Sequence, residues 1–297
     1  MNTHEVADYL RIKERKVYDL VRNKQIPCTR ASGKWLFPKN LIDRWLADGV
    51  DGQEPTADFE GLRQTPPPVI AGSHDPLLDW GLLDSNCGLA LLGGGSLNGL
   101  KRFIDGEALA CGLHIIDGET GQYNVPALKE AYGGRPPGDL VLIEWAQRQQ
   151  GLILPAGNPK GITGFDDLMK KKSRIQLRQP AAGTRILFEH LIGEAGIEEW
   201  DFNINDEMAN NETELGFAIR DRKADAGLGL ASVAQQFELD FIPLCYERFD
   251  ILIRRRDYFD EPFQMLIAKT RTEYFVQRAR DMGGYDISQR GKVHFNG

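Results

Sequence analysis

At 297 residues the chain is longer than a usual single domain, so a small module attached to a larger body is the natural division. Its 41% hydrophobic content suffices for real cores, yet no apolar run nears the ~20 residues needed to cross a bilayer, so no membrane partner is expected. A net charge of −7 spread evenly would argue against nucleic acid, but residues 1–50 hold ten Lys/Arg against six Asp/Glu while the rest hold 26 against 37. The basic share belongs to the N-terminal end, and an acidic remainder has no reason to lie on DNA.

Thr3 is placed to cap a first helix running to Leu10, with Val6, Ala7 and Leu10 on one apolar face. A break at Arg11-Ile12-Lys13 precedes a second helix, Glu14 to Lys24, whose Val17, Leu20 and Val21 complete the pair. Two short helices joined by a tight turn form a helix-turn-helix. Arg15, Lys16, Tyr18 and Arg22 occupy the opposite face of the second helix, with the reach to meet phosphates and base edges in a major groove. Two strand-like runs, residues 26–30 and 34–38, flank Ala31-Ser32-Gly33 as a hairpin, with Arg30 and Lys34 beside its tip to grip a backbone. Leu41, Ile42, Trp45 and Leu46 then mark a third helix from Lys39 to Ala47. The segments HEVADYL, KVYDLVRNKQIP and GKWLFPKNLIDRWL resemble the excisionase-like winged helix-turn-helix family, related to MerR-type domains. That resemblance implies DNA binding by residues 1–48. The chain departs from it at the start of the second helix, where Arg11 and Lys13 replace a small turn residue and a Ser cap.

Residues 49–68 lack periodicity and end in Pro66-Pro67-Pro68, the composition of an extended linker. From Val69 short apolar runs alternate with amphipathic stretches, predicting an α/β body with mostly parallel strands. Strands are expected at residues 69–71, 88–92, 109–116, 140–143, 151–154, 174–177, 226–230 and 241–244. Several deliver a hydroxyl or Gly to the start of the next helix: Ser73, Gly93-Gly94-Gly95-Ser96 and Gly183-Thr184. Helix starts carry unpaired N–H groups and partial positive charge, so several converging on one cleft make an anion site. No phosphate-loop Lys follows Ser96, and no nucleophile-base pair or metal constellation stands out. His74 and His114, beside Asp75 and Asp117, are read as hydrogen-bonding residues that fix strand-end loops. The four cysteines are scattered, which fits reduced thiols in a cytoplasm, and the N-terminus lacks a secretory signal pattern.

The blocks at residues 72–79, 95–100, 114–117 with 123–126, 150–159, 183–185, 224–229 and 240–244, in that order, resemble the periplasmic-binding-protein-like domain found at the C-terminus of some molybdopterin biosynthesis MoeA proteins. The resemblance implies a type II two-lobed body over 69–297, with lobe 1 about 69–149 and 246–297 and lobe 2 about 150–245. It further implies a ligand such as molybdate, tungstate or a molybdenum-cofactor species. By position, Ser73 and Ser96 would donate from one lobe, Gly183, Thr184 and Leu228 from the other, and Tyr246 from the hinge, with Arg178 and Arg185 contributing. Tyr123 and Tyr246 fit lobe packing as well as ligand contact. The combined reading is a cytoplasmic, ligand-responsive transcription regulator rather than an enzyme, without cofactor or metal. Its partners would be DNA, a small anion and, given two-fold operators, a second copy of itself. The alternative is an enzyme or accessory protein of molybdenum cofactor biosynthesis. The segment from Glu273 onward, with Tyr274, Phe275, Val276 and Ala279 at helical spacing, is either an interface or a lobe-capping helix.

Overall fold

The computed structural model describes residues 1–31, 33–48 and 65–297. They form two compact units, Met1–Thr65 and Pro66–Gly297. Most of the expected linker lies outside the described residues.

The first unit holds α1 (Thr3–Leu10), α2 (Glu14–Arg22), the hairpin β1 (Thr29–Ala31) and β2 (Lys34–Leu36), and α3 (Lys39–Asp48). Asn2, not Thr3, caps α1: its side chain accepts from the Glu5 amide while the Glu5 carboxylate returns to the Asn2 N–H. The turn between the helices is made by Arg11 in the left-handed region, φ 52°. Lys13 occupies the cap position of α2 without a side-chain hydrogen bond, as the missing Ser implies. Val6, Ala7, Val17, Ile26, Phe37 and Ile42 meet in one core, joining all three helices to the hairpin.

The second unit opens with β3 (Val69–Gly72), α4 (Pro76–Ser85), β4 (Ala90–Gly93), α5 (Ser96–Ile104), β5 (Ala110–Leu113) and α6 (Val125–Ala131). The long strand β6 (Leu140–Leu154) leads to α7 (Phe165–Lys170), β7 (Arg174–Ile175), α8 (Gly183–Glu194), β8 (Asn203–Ile204), α9 (Glu212–Arg220), β9 (Gly227–Leu230) and α10 (Ala231–Gln236). A second long strand, β10 (Asp240–Arg254), returns to α11 (Arg255–Tyr258), α12 (Glu261–Thr270), α13 (Glu273–Met282), β11 (Tyr285–Asp286) and β12 (Val293–Asn296).

The main sheet runs β11-β6-β10-β5-β3-β4, with β9 and β12 also paired to β6. Among the named strands of the described residues in this unit, β3 with β4 and β5, and β7 with β8, pair in parallel, whereas β10 pairs antiparallel with β5 and β6, and β9, β11 and β12 pair antiparallel with β6. The expectation of a mostly parallel sheet is therefore corrected. The cause lies in β6 and β10, each 15 residues long and antiparallel to the other along their whole length. The strands expected at 140–143 and 151–154 leave out the middle of β6, residues 144–150, and the one expected at 241–244 stops short of the rest of β10. The strands in fact run on, because their central polar side chains find partners inside.

Along these two strands the body passes from one pair of cores to another. Ile70, Leu78, Trp145, Phe249 and Phe275 pack on one face of the first lobe, and Leu100, Phe103, Leu113 and Leu252 on the other. Leu152, Leu177, Phe188 and Leu228, then Ile153, Leu215 and Val233, fill the second. Phe275 and Ala279 of α13 are buried in the first core, and the Tyr274 ring meets Trp80 edge to face with centroids 5.4 Å apart, so this helix caps a lobe.

Candidate functional site

Strand alternation decides what faces the junction between the two sets of cores. On β6, Arg148 and Gln150 turn inward, and on β10 Glu247 does so. Tyr246, one residue away, is therefore 54% exposed, its hydroxyl 3.5 Å from the Gln149 amide nitrogen. It offers no phenol to the interior, and Glu247 takes the hinge place expected of it.

The inward residues build one buried polar chain. The Arg148 guanidinium bonds the Asp75 carboxylate at 3.1 Å, ion-pairs with Glu247 and lies 4.4 Å over the Phe249 ring. Asp75 caps α4 through the Leu78 amide at 2.7 Å and accepts from the Trp145 indole at 3.1 Å and the Tyr285 hydroxyl at 2.8 Å. Glu247 accepts from the Gln150 amide at 2.9 Å and lies 2.7 Å from His114 Nδ1. Burial alone would raise the Glu247 carboxyl, but Arg148 and His114 outweigh it and hold it at about 2. Burial likewise opposes the Arg148 charge, and the carboxylates of Glu247 and Asp75 overcome it. His114 thus ties β5 to the crossing strand rather than fixing a loop.

Ser73 and Ser96, at the ends of β3 and the start of α5, meet with their hydroxyl oxygens 2.8 Å apart, and Ser96 accepts from the His114 amide at 3.1 Å. From the second lobe, the Thr184 hydroxyl at the start of α8 lies 3.4 Å from the Gln150 amide nitrogen and 3.2 Å from the Glu212 carboxylate. Arg178 ion-pairs with the same carboxylate and donates to the Ala209 carbonyl at 3.2 Å. The structure thus brings Ser73 to Ser96, and Thr184 to Arg178. Arg185 lines the same narrow fissure as Arg178 and Thr184, with its guanidinium paired to Glu189 at 2.6 Å and to Glu199 beyond the end of α8 and its Nη1 buried without a partner among the described residues. Leu228 is buried in the second hydrophobic core.

The starts of α5 and α8 touch. The Leu97 amide donates to the Ala181 carbonyl at 3.3 Å, and a Cβ at Gly95 or Gly183 would stand 2.4 Å from the Ala181 or His114 carbonyl oxygen. Gly is thus required for this close approach. The narrow fissure beside Arg178, Thr184, Arg185 and Leu228, all of the second lobe, has no space for a water molecule. Asp75, Arg148, Gln150, Glu212 and Glu247 were not singled out from the sequence; the signal that could have found three of them is polar alternation inside strand-length segments.

In the first unit Arg15, Lys16, Tyr18, Arg22, Arg30 and Lys34 are all exposed, and the Arg30 guanidinium rests 5.4 Å over Trp35. The opposite side of α2, through Val17, is buried. A cationic face with an apolar back is what a groove-reading helix needs. Among the described residues, no His/Cys/Asp/Glu cluster is placed to hold a metal ion, and no helix is long and apolar enough to cross a membrane. Burial raises the Cys111 thiol and pushes Cys245 up to about 11.

Comparison with known proteins agrees with both units. Residues 82–271 match the PBP superfamily domain and residues 1–49 a helix-turn-helix domain. YvgK of Bacillus subtilis (strain 168) is 27% identical over 302 residues, covering 97% of this chain and 96% of its own. A Clostridium perfringens substrate-binding protein solved with bound phosphate superposes with a TM-score of 0.52 at 12% identity, over 72% of this chain and 96% of its own. An OxyR mutant of Corynebacterium glutamicum, bound to hydrogen peroxide, reaches 0.51 at 11% identity, over 95% and 89%. At these identities the two structures share a fold with the chain. By the match over most of its length, the chain belongs to the PBP superfamily, with a helix-turn-helix domain at its N-terminal end.

Proposed function

We propose that this protein is a DNA-binding transcription regulator whose two lobes, about 69–149 with 246–297 and about 150–245, close on a small anion. The observation that carries the ligand reading is the meeting of α5 and α8, two helix starts bearing Ser96 and Gly183-Thr184, across the junction spanned by β6 and β10. Both starts bring N–H dipoles to one point, which favours negative charge there. Arg178 and Thr184 are held by the Glu212 carboxylate, so these donors must be freed before a guest can use them. A ligand shifts the lobe equilibrium only by binding one arrangement better than the other. Molybdate and tungstate, implied by the resemblance to the MoeA-associated domain, are the first anions to test, with phosphate and sulfate beside them.

The exposed cations of α2 and the hairpin would engage a duplex in the cytoplasm, as a homodimer on a two-fold operator. Two measurements test the reading. Trp fluorescence or melting temperature should respond to one of the four anions, and no response to any removes the anion. A gel shift should show the full chain binding DNA upstream of its own gene in preference to an unrelated duplex, and equal binding removes the regulator.

A further inference from the structure

Two side-chain donors converge where α8 begins, the Thr184 hydroxyl and the Arg178 guanidinium, with the Gln150 amide nitrogen 3.4 Å from the Thr184 oxygen. The acceptor between Arg178 and Thr184 is a carboxylate of the chain itself, Glu212, whose side chain is 4% exposed. One Glu212 oxygen takes both Arg178 and Thr184, while the other, Oε2, is buried with no hydrogen-bond partner among the described residues. That oxygen faces Gly229, where a Cβ would stand 3.2 Å away. Glu212 is also the first residue of α9, a helix already capped by the Asn211 side chain, so its carboxylate can swing away and leave α9 capped.

We propose, resting on the anion-sensing reading, that Glu212 is a resident competitor for the ligand. Its carboxylate occupies the donors an anion would use, and binding exchanges Glu212 for the anion on Arg178 and Thr184. Like charges cannot share these donors in a dry site, because Arg178 Nη1 and the Thr184 hydroxyl both serve one Glu212 oxygen while Arg178 Nε and Nη2 donate to the Ala209 and Asn210 carbonyls. Of the three carboxylates in the buried chain, Arg148 bonds Asp75 and Glu247, with the His114 ring also facing Glu247, and only Glu212 is held by Arg178 and Thr184. An anion that takes Arg178 and Thr184 therefore displaces Glu212 and leaves Asp75 and Glu247 on Arg148.

The experiment is a calorimetric titration of the full-length protein and its Glu212→Gln variant with tungstate, molybdate, sulfate and phosphate. The neutral amide should bind the preferred anion at least tenfold more tightly than wild type. Equal or weaker binding by the variant, with wild type still binding, overturns the competitor and leaves the sensor standing. A selective loss of phosphate would also overturn it, since Glu212 would then be accepting the proton that phosphate carries and sulfate lacks. If neither form binds any of the four, both readings fall. Should the variant not fold, a structure of the wild-type complex decides: Arg178 bonded to the anion with Glu212 displaced supports the exchange, and an intact Arg178–Glu212 pair refutes it.

Discussion

Glu247 sits where three elements meet, accepting from Arg148 and Gln150 of β6 and facing His114 at the end of β5. All four side chains are buried, so removing one charge strands another in a low-dielectric interior. Glu247→Gln should lower unfolding stability by roughly 3–5 kcal/mol, the usual cost of breaking a buried pair from one side, read from chemical denaturation. Acid supplies an independent check. The folded carboxyl lies at about 2 against an ordinary 4.5, so the folded state binds this proton more weakly than the unfolded chain does. Its contribution, roughly 3 kcal/mol, is complete above pH 4.5 and is lost as pH falls toward 2. Melting curves of wild type should therefore drop more steeply across that window than those of the Gln variant. Parallel curves would mean that Glu247 carries no such linkage.

At the scale of elements, β6 and β10 hold the two lobes in one sheet, and at Gly151 they leave no room for a side chain. A Cβ there would stand 2.1 Å from the Ile242 carbonyl oxygen and 2.6 Å from the Phe241 ring, beside the irregularity between Pro243 and Cys245. Gly151→Ala should cost about 1–3 kcal/mol through overpacking, whereas Gly193→Ala, on α8 with open space around it, should gain about 0.5–1 kcal/mol. Thermal unfolding of the two variants in opposite directions is the expected result. A similar contrast governs α2, whose start lacks a side-chain cap: Lys13→Ser should stabilise the module by about 0.5–2 kcal/mol, seen as a higher midpoint in its unfolding. These elements also mark what sequence could and could not reveal. Apolar periodicity and turn chemistry located all three N-terminal helices, the hairpin, and the helix starts at Ser96 and Gly183. Period-2 reading broke down at residues 147–150, because polar residues in mid-strand look like a loop until their ion-pair partners, distant in sequence, are known. Asp75 and Glu212 stayed hidden for the same reason: each sits at the start of a helix, where a carboxylate needs no explanation beyond capping or the helix dipole.

Over the whole molecule, charge separates the two units, and that separation predicts how DNA binding responds to salt. The exposed cations Arg15, Lys16, Arg22, Arg30 and Lys34 lie on one small unit, whereas the chain as a whole is −7. If each cation neutralises one phosphate, the affinity of one module should fall with log salt at a slope of about −4.5, and that of a dimer using two modules at about −9. The slope therefore counts modules on the duplex as well as phosphates. Lys16→Ala with Arg22→Ala should flatten it by about 2 per module, measured by fluorescence anisotropy between low and moderate salt. Glu212→Gln lies in the other unit, so it should leave the slope measured without anion unchanged in a protein where the cations alone meet DNA. A slope that ignores the Lys16 and Arg22 substitutions would place the DNA surface elsewhere. One that moves with Glu212 in the absence of anion would mean that the state of the cleft alters how many modules engage the duplex.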